Sequence, residues 1–158
     1  MDRIATVLEL ATCLQRRAWW LACAESCTGG GIAAALTDVA GSSAWFDRGF
    51  VSYSNLAKQD MLGVSPDTLA HCGAVSRETV TEMATGTLAR SRAQLGVAVS
   101  GIAGPGGGTP DKPIGTVWIA WARGAEVWAA REHFEGDRAQ VRAATVDAAL
   151  KGLLDRAR

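Results

Sequence analysis

Three stretches of the chain carry side chains able to do chemistry. The first, Ala24-Glu25-Ser26-Cys27-Thr28-Gly29-Gly30-Gly31, follows a short apolar run and opens an alanine-rich segment. A strand that turns directly into a helix leaves the first main-chain N–H groups of that helix unpaired, and such groups attract developing negative charge. With Ser26 on the turn, the amides of Thr28, Gly29 and Gly30 are placed to act as oxyanion donors during acyl transfer, a contribution of roughly 3–4 kcal/mol per donor in amide-cleaving sites. The same residues also suit an ordinary helix entry with Ser26 or Thr28 as N-cap. The spacing is not G-x-G-x-x-G, so a dinucleotide fingerprint is weak here. The second stretch, Tyr53-Ser54-Asn55-Leu56-Ala57-Lys58, ends an apolar, β-branched segment and begins a helical one. A lysine in a first helical turn meets the positive end of the dipole. If it is also shielded from water, both effects disfavour the ammonium and produce an amine able to accept a proton. Tyr53 beside it has a phenol that both donates and accepts hydrogen bonds and so suits a proton relay. A solvated surface lysine beside a strand-end tyrosine is the plainer reading of the pair. No S-x-x-K pattern is present, so Lys58 must meet Ser26 through the fold. The third stretch, Ser100 to Pro113, is too rich in glycine and proline for helix or strand. Gly104, Gly107 and Thr109 are its candidates for wrapping a phosphate or ribose with main-chain amides and a hydroxyl. Two rivals to Ser26 as nucleophile stand nearby: Cys27, intrinsically more reactive but without a histidine close in sequence, and Ser100, on position alone.

These stretches need elements to hold them. Apolar residues recur at helical spacing from about 3 to 16, and Trp19 to Ala24 has strand length and composition. Gly31 to Val39 reads as helix and Phe46 to Tyr53 as strand. Ser54 or Asn55 is placed to cap a helix running to about Leu62. Gly63 to Gly73 is a connector in which Ser65-Pro66-Asp67 suits a second helix start. A helix follows from Ser76 to about Arg92, and Leu95 to Ser100 is a buried-looking strand. Ile114 to Ala122 and Glu126 to Phe134, with Gly124 at the turn, pair as a hairpin, and Asp137 to about Arg156 closes the chain as a helix. Helices interleaved with strands and ending in a hairpin predict an α/β protein: a three-layer α/β/α domain with a mixed sheet.

Composition narrows the rest. The 158 residues are 48% hydrophobic and 20% charged, enough for one core, and residues 1–158 are read as a single domain. Sixteen basic residues balance sixteen acidic ones, so no long-range field draws a polyanion and nucleic acid is not expected as a partner. Residues 1–17 mix charges among apolar positions, unlike a secretion signal or membrane span. Four cysteines without a C-x-x-C pair, and only two histidines, argue against a metal site and for reduced thiols in the cytoplasm. Six tryptophans, notably Trp45, Trp118, Trp121 and Trp128, leave enough aromatic surface for a homodimer to be an open option.

Taken in order, the motifs resemble the CinA C-terminal domain family. The resemblance runs from about Ile4 to Leu154. It includes Ala24 to Gly30, Gly41-Ser42-Ser43 with Phe46, Tyr53-Ser54-Asn55 with Lys58, Leu62-Gly63-Val64 and Gly73-Ala74-Val75-Ser76. It continues through Gly101-Ile102-Ala103-Gly104-Pro105 with Gly107, Lys112-Pro113 with Gly115-Thr116-Val117, and Phe134, Gly136-Asp137-Arg138 and Arg142. The resemblance implies hydrolysis of nicotinamide mononucleotide to nicotinate mononucleotide and ammonia, in NAD recycling, with no metal or other cofactor. It also implies catalytic roles for Ser26, Tyr53 and Lys58. Many relatives carry a further N-terminal domain of the molybdopterin-binding type, and a chain starting at Met1 with this helix leaves no room for one, so the standalone form is expected. The mechanism that follows has neutral Lys58 take the Ser26 proton, directly or through Tyr53, while the hydroxyl attacks the carboxamide carbon. The Tyr53–Lys58 pair then protonates the leaving ammonia and activates water. A substrate phosphate needs a cation, for which Arg138 and Arg142 at the last helix start are the candidates. Competing readings are a non-catalytic nucleotide-binding module and an amidase for another carboxamide nucleotide or nucleoside.

Overall fold

A computed structural model describes residues 1–158. Asp2 caps the first helix, its side chain accepting from the Ala5 N–H at 3.0 Å. Helix α1 (Arg3–Arg17) is followed by β1 (Leu21–Glu25), α2 (Gly31–Thr37), a 3-10 turn (Ser42–Ala44), β2 (Phe46–Val51), α3 (Asn55–Leu62), α4 (Pro66–Cys72) and α5 (Arg77–Ala89). Strand β3 (Leu95–Gly101), the hairpin β4 (Thr116–Arg123) and β5 (Glu126–His133), and helix α6 (Arg138–Ala157) complete the chain. The five strands form one sheet in the order β2-β1-β3-β4-β5. The first three are parallel and the last two antiparallel to their neighbours, so the sheet is mixed.

Alternation along the strands sorts the two faces. Cys23, Val97, Val99, Val117, Ile119 and Trp121 point to one side, against Leu10 and Leu14 of α1, Ile32 and Leu36 of α2, and Val141, Leu150 and Leu153 of α6. Ala24, Ala98, Ala120 and Ala122 point to the other, where these small residues meet Val80, Met83 and Ala84 of α5 together with Leu62 of α3 and Leu69 of α4. The expected three-layer α/β/α domain is what forms.

The differences from expectation have local causes. Strand β1 starts at Leu21, and the half-buried Trp19 and Trp20 ahead of it lie under the guanidinium groups of Arg17 and Arg92, 4.7 and 3.7 Å from the ring centroids. Ser65-Pro66-Asp67 does start a helix, α4, with Pro66 in its first turn. Trp45 and Trp121 are core residues, 2% and 6% exposed, so they supply no surface for a second copy. No helix is long and apolar enough to cross a membrane.

Candidate functional site

The three parallel strands end side by side, and ligands in such sheets bind beyond the carboxyl ends. Strand β1 stops at Glu25, but its pairing persists one residue further. The Ser26 N–H donates to the Val99 carbonyl of β3 at 3.1 Å, and the Ser52 N–H beyond β2 donates to the Glu25 carbonyl at 2.9 Å. After Ser26 the chain turns through Gly29 and Gly30 at φ 58° and 106°, a left-handed pair that side-chain-bearing residues rarely adopt, and enters α2.

Glu25 holds this turn together. It is 1% exposed, and its Oε1 accepts from the Thr28 hydroxyl and from the Ile32 N–H at 2.8 Å, while Oε2 accepts from the Ala33 N–H at 3.0 Å. A buried carboxylate at the positive end of α2 satisfies two of that helix's free donors and favours its dipole. On the outer side Arg142 of α6 donates to the carbonyls of Cys27 and Thr28 at 3.0 and 3.1 Å. Its guanidinium fixes the turn rather than standing open to a phosphate. Glu25→Gln puts an amide donor where two main-chain N–H groups converge. It is expected to destabilise the fold by about 1–3 kcal/mol and to lower the melting temperature by roughly 2–10 °C, as thermal unfolding would show; an unchanged melting temperature would mean that the turn does not depend on this carboxylate.

Lys58 reaches the turn from α3. Ser54 caps that helix, accepting from the Ala57 N–H at 3.0 Å, and Lys58 and Leu62, four residues apart, are its buried pair. Lys58 is 1% exposed. Its Nζ lies 2.9 Å from Ser26 Oγ, 2.9 Å from the Ser52 carbonyl oxygen and 2.7 Å from the Tyr53 carbonyl oxygen. Burial lowers its pKa from 10.5 to about 8. The geometry assigns the lone pair of the neutral form. Two partners are carbonyl oxygens, which only accept, so both N–H bonds of the neutral amine are taken by them and the lone pair is left facing Ser26 Oγ. When the amine is protonated, all three N–H bonds are used and the Ser26 hydroxyl turns to the Tyr53 carbonyl, 3.3 Å away.

Tyr53 therefore serves this pair through its main chain. Its side chain is 60% exposed and stands at the mouth of the site, where its hydroxyl accepts from Arg138 at 3.4 Å. No hydrogen bond joins the phenol to Ser26 or Lys58. Gly29 is likewise occupied, its N–H donating to the Ser26 carbonyl at 3.1 Å. The main-chain N–H groups of Thr28 and Gly30 make no hydrogen bond within the chain, and that of Cys27 faces only its own thiol. Cys27, the rival nucleophile, has its thiol pushed up to about 11 by burial, an effect that its own main-chain N–H and the charges of Arg142 and Lys58 oppose only in part. It is a protonated thiol at neutral pH, hence a poor nucleophile.

A cavity of about 220 Å³ opens over these groups, lined by Ser26, Cys27, Tyr53, Lys58 and Ser100 with the connector residues Ala74 and Val75. Ala103 and Arg138 are shared with a second cavity of about 430 Å³ beside Gly104, Pro105 and Ile114. Arg138 stands at the junction, donating to the Gly104 carbonyl at 2.9 Å. Of the sequence candidates, Ser26, Lys58 and Tyr53 line the first cavity, Gly104 the second and Arg138 both, and Thr28 and Gly30 belong to the turn beside them. Gly107 and Thr109 line neither cavity. The Thr109 hydroxyl accepts from the Lys112 N–H at 3.1 Å and closes the loop on itself. No group of three or more His, Cys, Asp or Glu side chains converges anywhere in the fold. Sequence reasoning assigned no role to Glu25. The available signal was an acidic residue just ahead of a helix start, which is a capping signature.

Known proteins resemble this chain over almost its whole length. The family model of the CinA C-terminal domain matches residues 4–157. A nicotinamide-nucleotide amidohydrolase PncC of Pseudomonas putida is 53% identical over 155 residues, covering 98% of this chain and 97% of that protein. One of the same description from Enterobacter agglomerans is 56% identical over 136 residues, 85% of this chain and 83% of the relative. The crystal structure of the competence/damage inducible protein CihA from Agrobacterium tumefaciens superposes with a TM-score of 0.96 at 48% identity, covering 100% of this chain and 97% of that one. With almost its whole length matched by the family model and by relatives of this similarity, the chain belongs to the CinA C-terminal domain family.

Proposed function

We propose that this protein hydrolyses the carboxamide of nicotinamide mononucleotide to nicotinate mononucleotide and ammonia, with Ser26 as nucleophile and Lys58 as its base. One observation carries the reading: a buried amine whose two N–H bonds are held by carbonyls points its lone pair at a serine hydroxyl 2.9 Å away. The names of relatives sharing 52–56% of their residues with this chain supply the substrate.

The sequence of steps follows from the contacts. Neutral Lys58 takes the Ser26 proton as Oγ attacks the carboxamide carbon, and the oxygen that becomes negative is received by the N–H groups of Cys27 and Thr28. The Lys58 ammonium returns the proton to the nitrogen as the C–N bond breaks, so ammonia leaves and an ester of Ser26 remains. Water then enters where the nitrogen was, gives a proton to Lys58 and releases the acid. Tyr53 contributes the carbonyl that orients Lys58, and its ring closes the mouth. The smaller cavity suits the nicotinamide ring. The larger suits the ribose phosphate, with the Arg138 guanidinium at the junction as the phosphate's partner and Arg142 behind the turn.

An ammonia-release assay on nicotinamide mononucleotide, run beside nicotinamide riboside and free nicotinamide, tests this reading. The nucleotide is expected to be hydrolysed with a kcat/KM at least about 100-fold above the other two, because only it presents a phosphate to Arg138. Binding of the nucleotide without release of ammonia would instead identify a non-catalytic nucleotide-binding module, and a preference for another carboxamide would move the substrate assignment.

A further inference from the structure

One buried hydroxyl in the cavity has no task in the reaction as written. Ser100, the sixth residue of β3, is 1% exposed and lines the cavity that holds Ser26 and Lys58. Unlike the side chains of those two, its hydroxyl makes no hydrogen bond within the chain. The oxygen is not sealed in the interior but opens onto the cavity, so its hydrogen-bonding capacity is free for a molecule bound there. Folding alone gives no reason for a serine here.

The sheet register fixes where this hydroxyl points. Glu25 pairs with Val99, and the Ser26 N–H reaches the Val99 carbonyl, so Ser26 and Ser100 lie side by side on adjacent parallel strands. Side chains alternate along a strand, which puts Ser26 and Ser100 on the face of Ala24 and Ala98. That is the face from which α3 brings in Lys58.

We propose that Ser100 is the residue that holds the carboxamide nitrogen of the substrate and afterwards the water that replaces it. This rests on the amidase reading of the same site and names the group that makes it selective for amides. A carboxamide NH2 carries two N–H donors that need acceptors once the ring is enclosed. Among the side chains lining the cavity, Arg138 can only donate, Lys58 is fully engaged, the Tyr53 hydroxyl already accepts from Arg138, the Ser26 hydroxyl is paired with Lys58 for the attack, and Cys27 is a weak acceptor. The Ser100 Oγ is the uncommitted oxygen. A hydroxyl rotates, so the same atom accepts from the NH2 group before cleavage and from, or to, a water in the same place afterwards. Ser100 neither gains nor loses a proton overall: the Ser26 proton travels to Lys58 and leaves on ammonia, and one proton of the water restores Ser26.

The test compares acylation of two substrates that differ only in the leaving group, nicotinamide mononucleotide and the methyl ester of nicotinate mononucleotide, which has no N–H to place. Ser100→Ala is expected to lower kcat/KM for the amide by about 10- to 100-fold and for the ester by less than about 3-fold. Ser100→Thr, which keeps the hydroxyl, is expected to restore most of the amide rate. Equal losses on both substrates, or an amide rate that survives Ser100→Ala, would overturn the proposal while leaving the amidase reading intact. Should Ser100→Ala fail to fold, Ser100→Cys, which keeps the shape but accepts hydrogen bonds poorly, takes its place with the same two expectations. A wild-type protein that hydrolyses neither substrate removes the amidase reading, and this inference with it.

Discussion

Ser26→Ala is expected to lower kcat on nicotinamide mononucleotide by about 10⁴-fold or more, with a change in binding affinity of less than about 3-fold. In the proposed mechanism the hydroxyl oxygen is the atom that bonds to the substrate carbon, so its removal eliminates the acyl intermediate and leaves only the oxyanion donors and binding to assist water. The rest of the site has no reason to move. The Ser26 hydroxyl touches only the Tyr53 carbonyl at 3.3 Å and Lys58 Nζ at 2.9 Å; Nζ keeps its two carbonyl partners without it, and the turn is held by Glu25 and Arg142. Isothermal titration with the variant, alongside ammonia release, separates the two effects. Intact-mass analysis of the wild type quenched during turnover should show a fraction of the chain carrying the nicotinate nucleotide, and Ser26→Ala should show none. A variant with near wild-type rate would transfer the nucleophile's role to another group, of which Cys27 is the nearest.

Lys58→Met is the second large effect: kcat is expected to fall by about 10³-fold or more, since methionine keeps the length and apolar contacts of the side chain but has no proton acceptor. The wild type should show kcat/KM rising about tenfold per pH unit at low pH and levelling above a midpoint near 8, because only the neutral amine accepts the Ser26 proton. Stability carries the same signature with a defined sign. The folded amine titrates near 8 and the unfolded one near 10.5, so between these values the unfolded chain binds a proton that the fold does not. Stability therefore rises with pH through this window and is complete above it, whereas below about 8 burial of the ammonium remains a cost. Lys58→Met lacks that dependence. The melting temperature of the wild type relative to the variant should climb from pH 8 to pH 10, and a constant difference would contradict the lowered pKa.

Much of this arrangement is legible in the sequence. Val97 and Val99 alternating with small residues marked a strand, Ser54 and Ser76 marked helix starts, and the hairpin turn at Gly124 fell where expected. Motif order placed Ser26 and Lys58 at element ends that had to meet. What stayed hidden was set by contacts between distant parts of the chain. Strand order depends on which apolar faces pack together, and several orders satisfy the same alternation. The depth of Lys58 comes from α3 lying against α5, not from its position near a helix start, so burial is the cause of its low pKa. Arg138 and Arg142, four residues apart on one helix, looked interchangeable as phosphate partners. Only their different reaches separate them, one into the junction of the cavities and one onto the carbonyls of the turn. Tyr53 was read through its phenol, but its carbonyl is the group that touches Lys58, and a sequence motif does not distinguish main chain from side chain.

The charge state of Lys58 is the claim on which catalysis turns, and it can be observed without substrate. Besides Lys58 the chain has only Lys112 and Lys151, so the ε-carbon resonances of a protein labelled with ¹³C-lysine can be followed individually by NMR from pH 6 to 11.5, with Lys58→Met to assign them. The Lys58 signal should titrate with a midpoint of about 8. A midpoint near the ordinary 10.5 would leave the amine charged at neutral pH and unable to take the Ser26 proton.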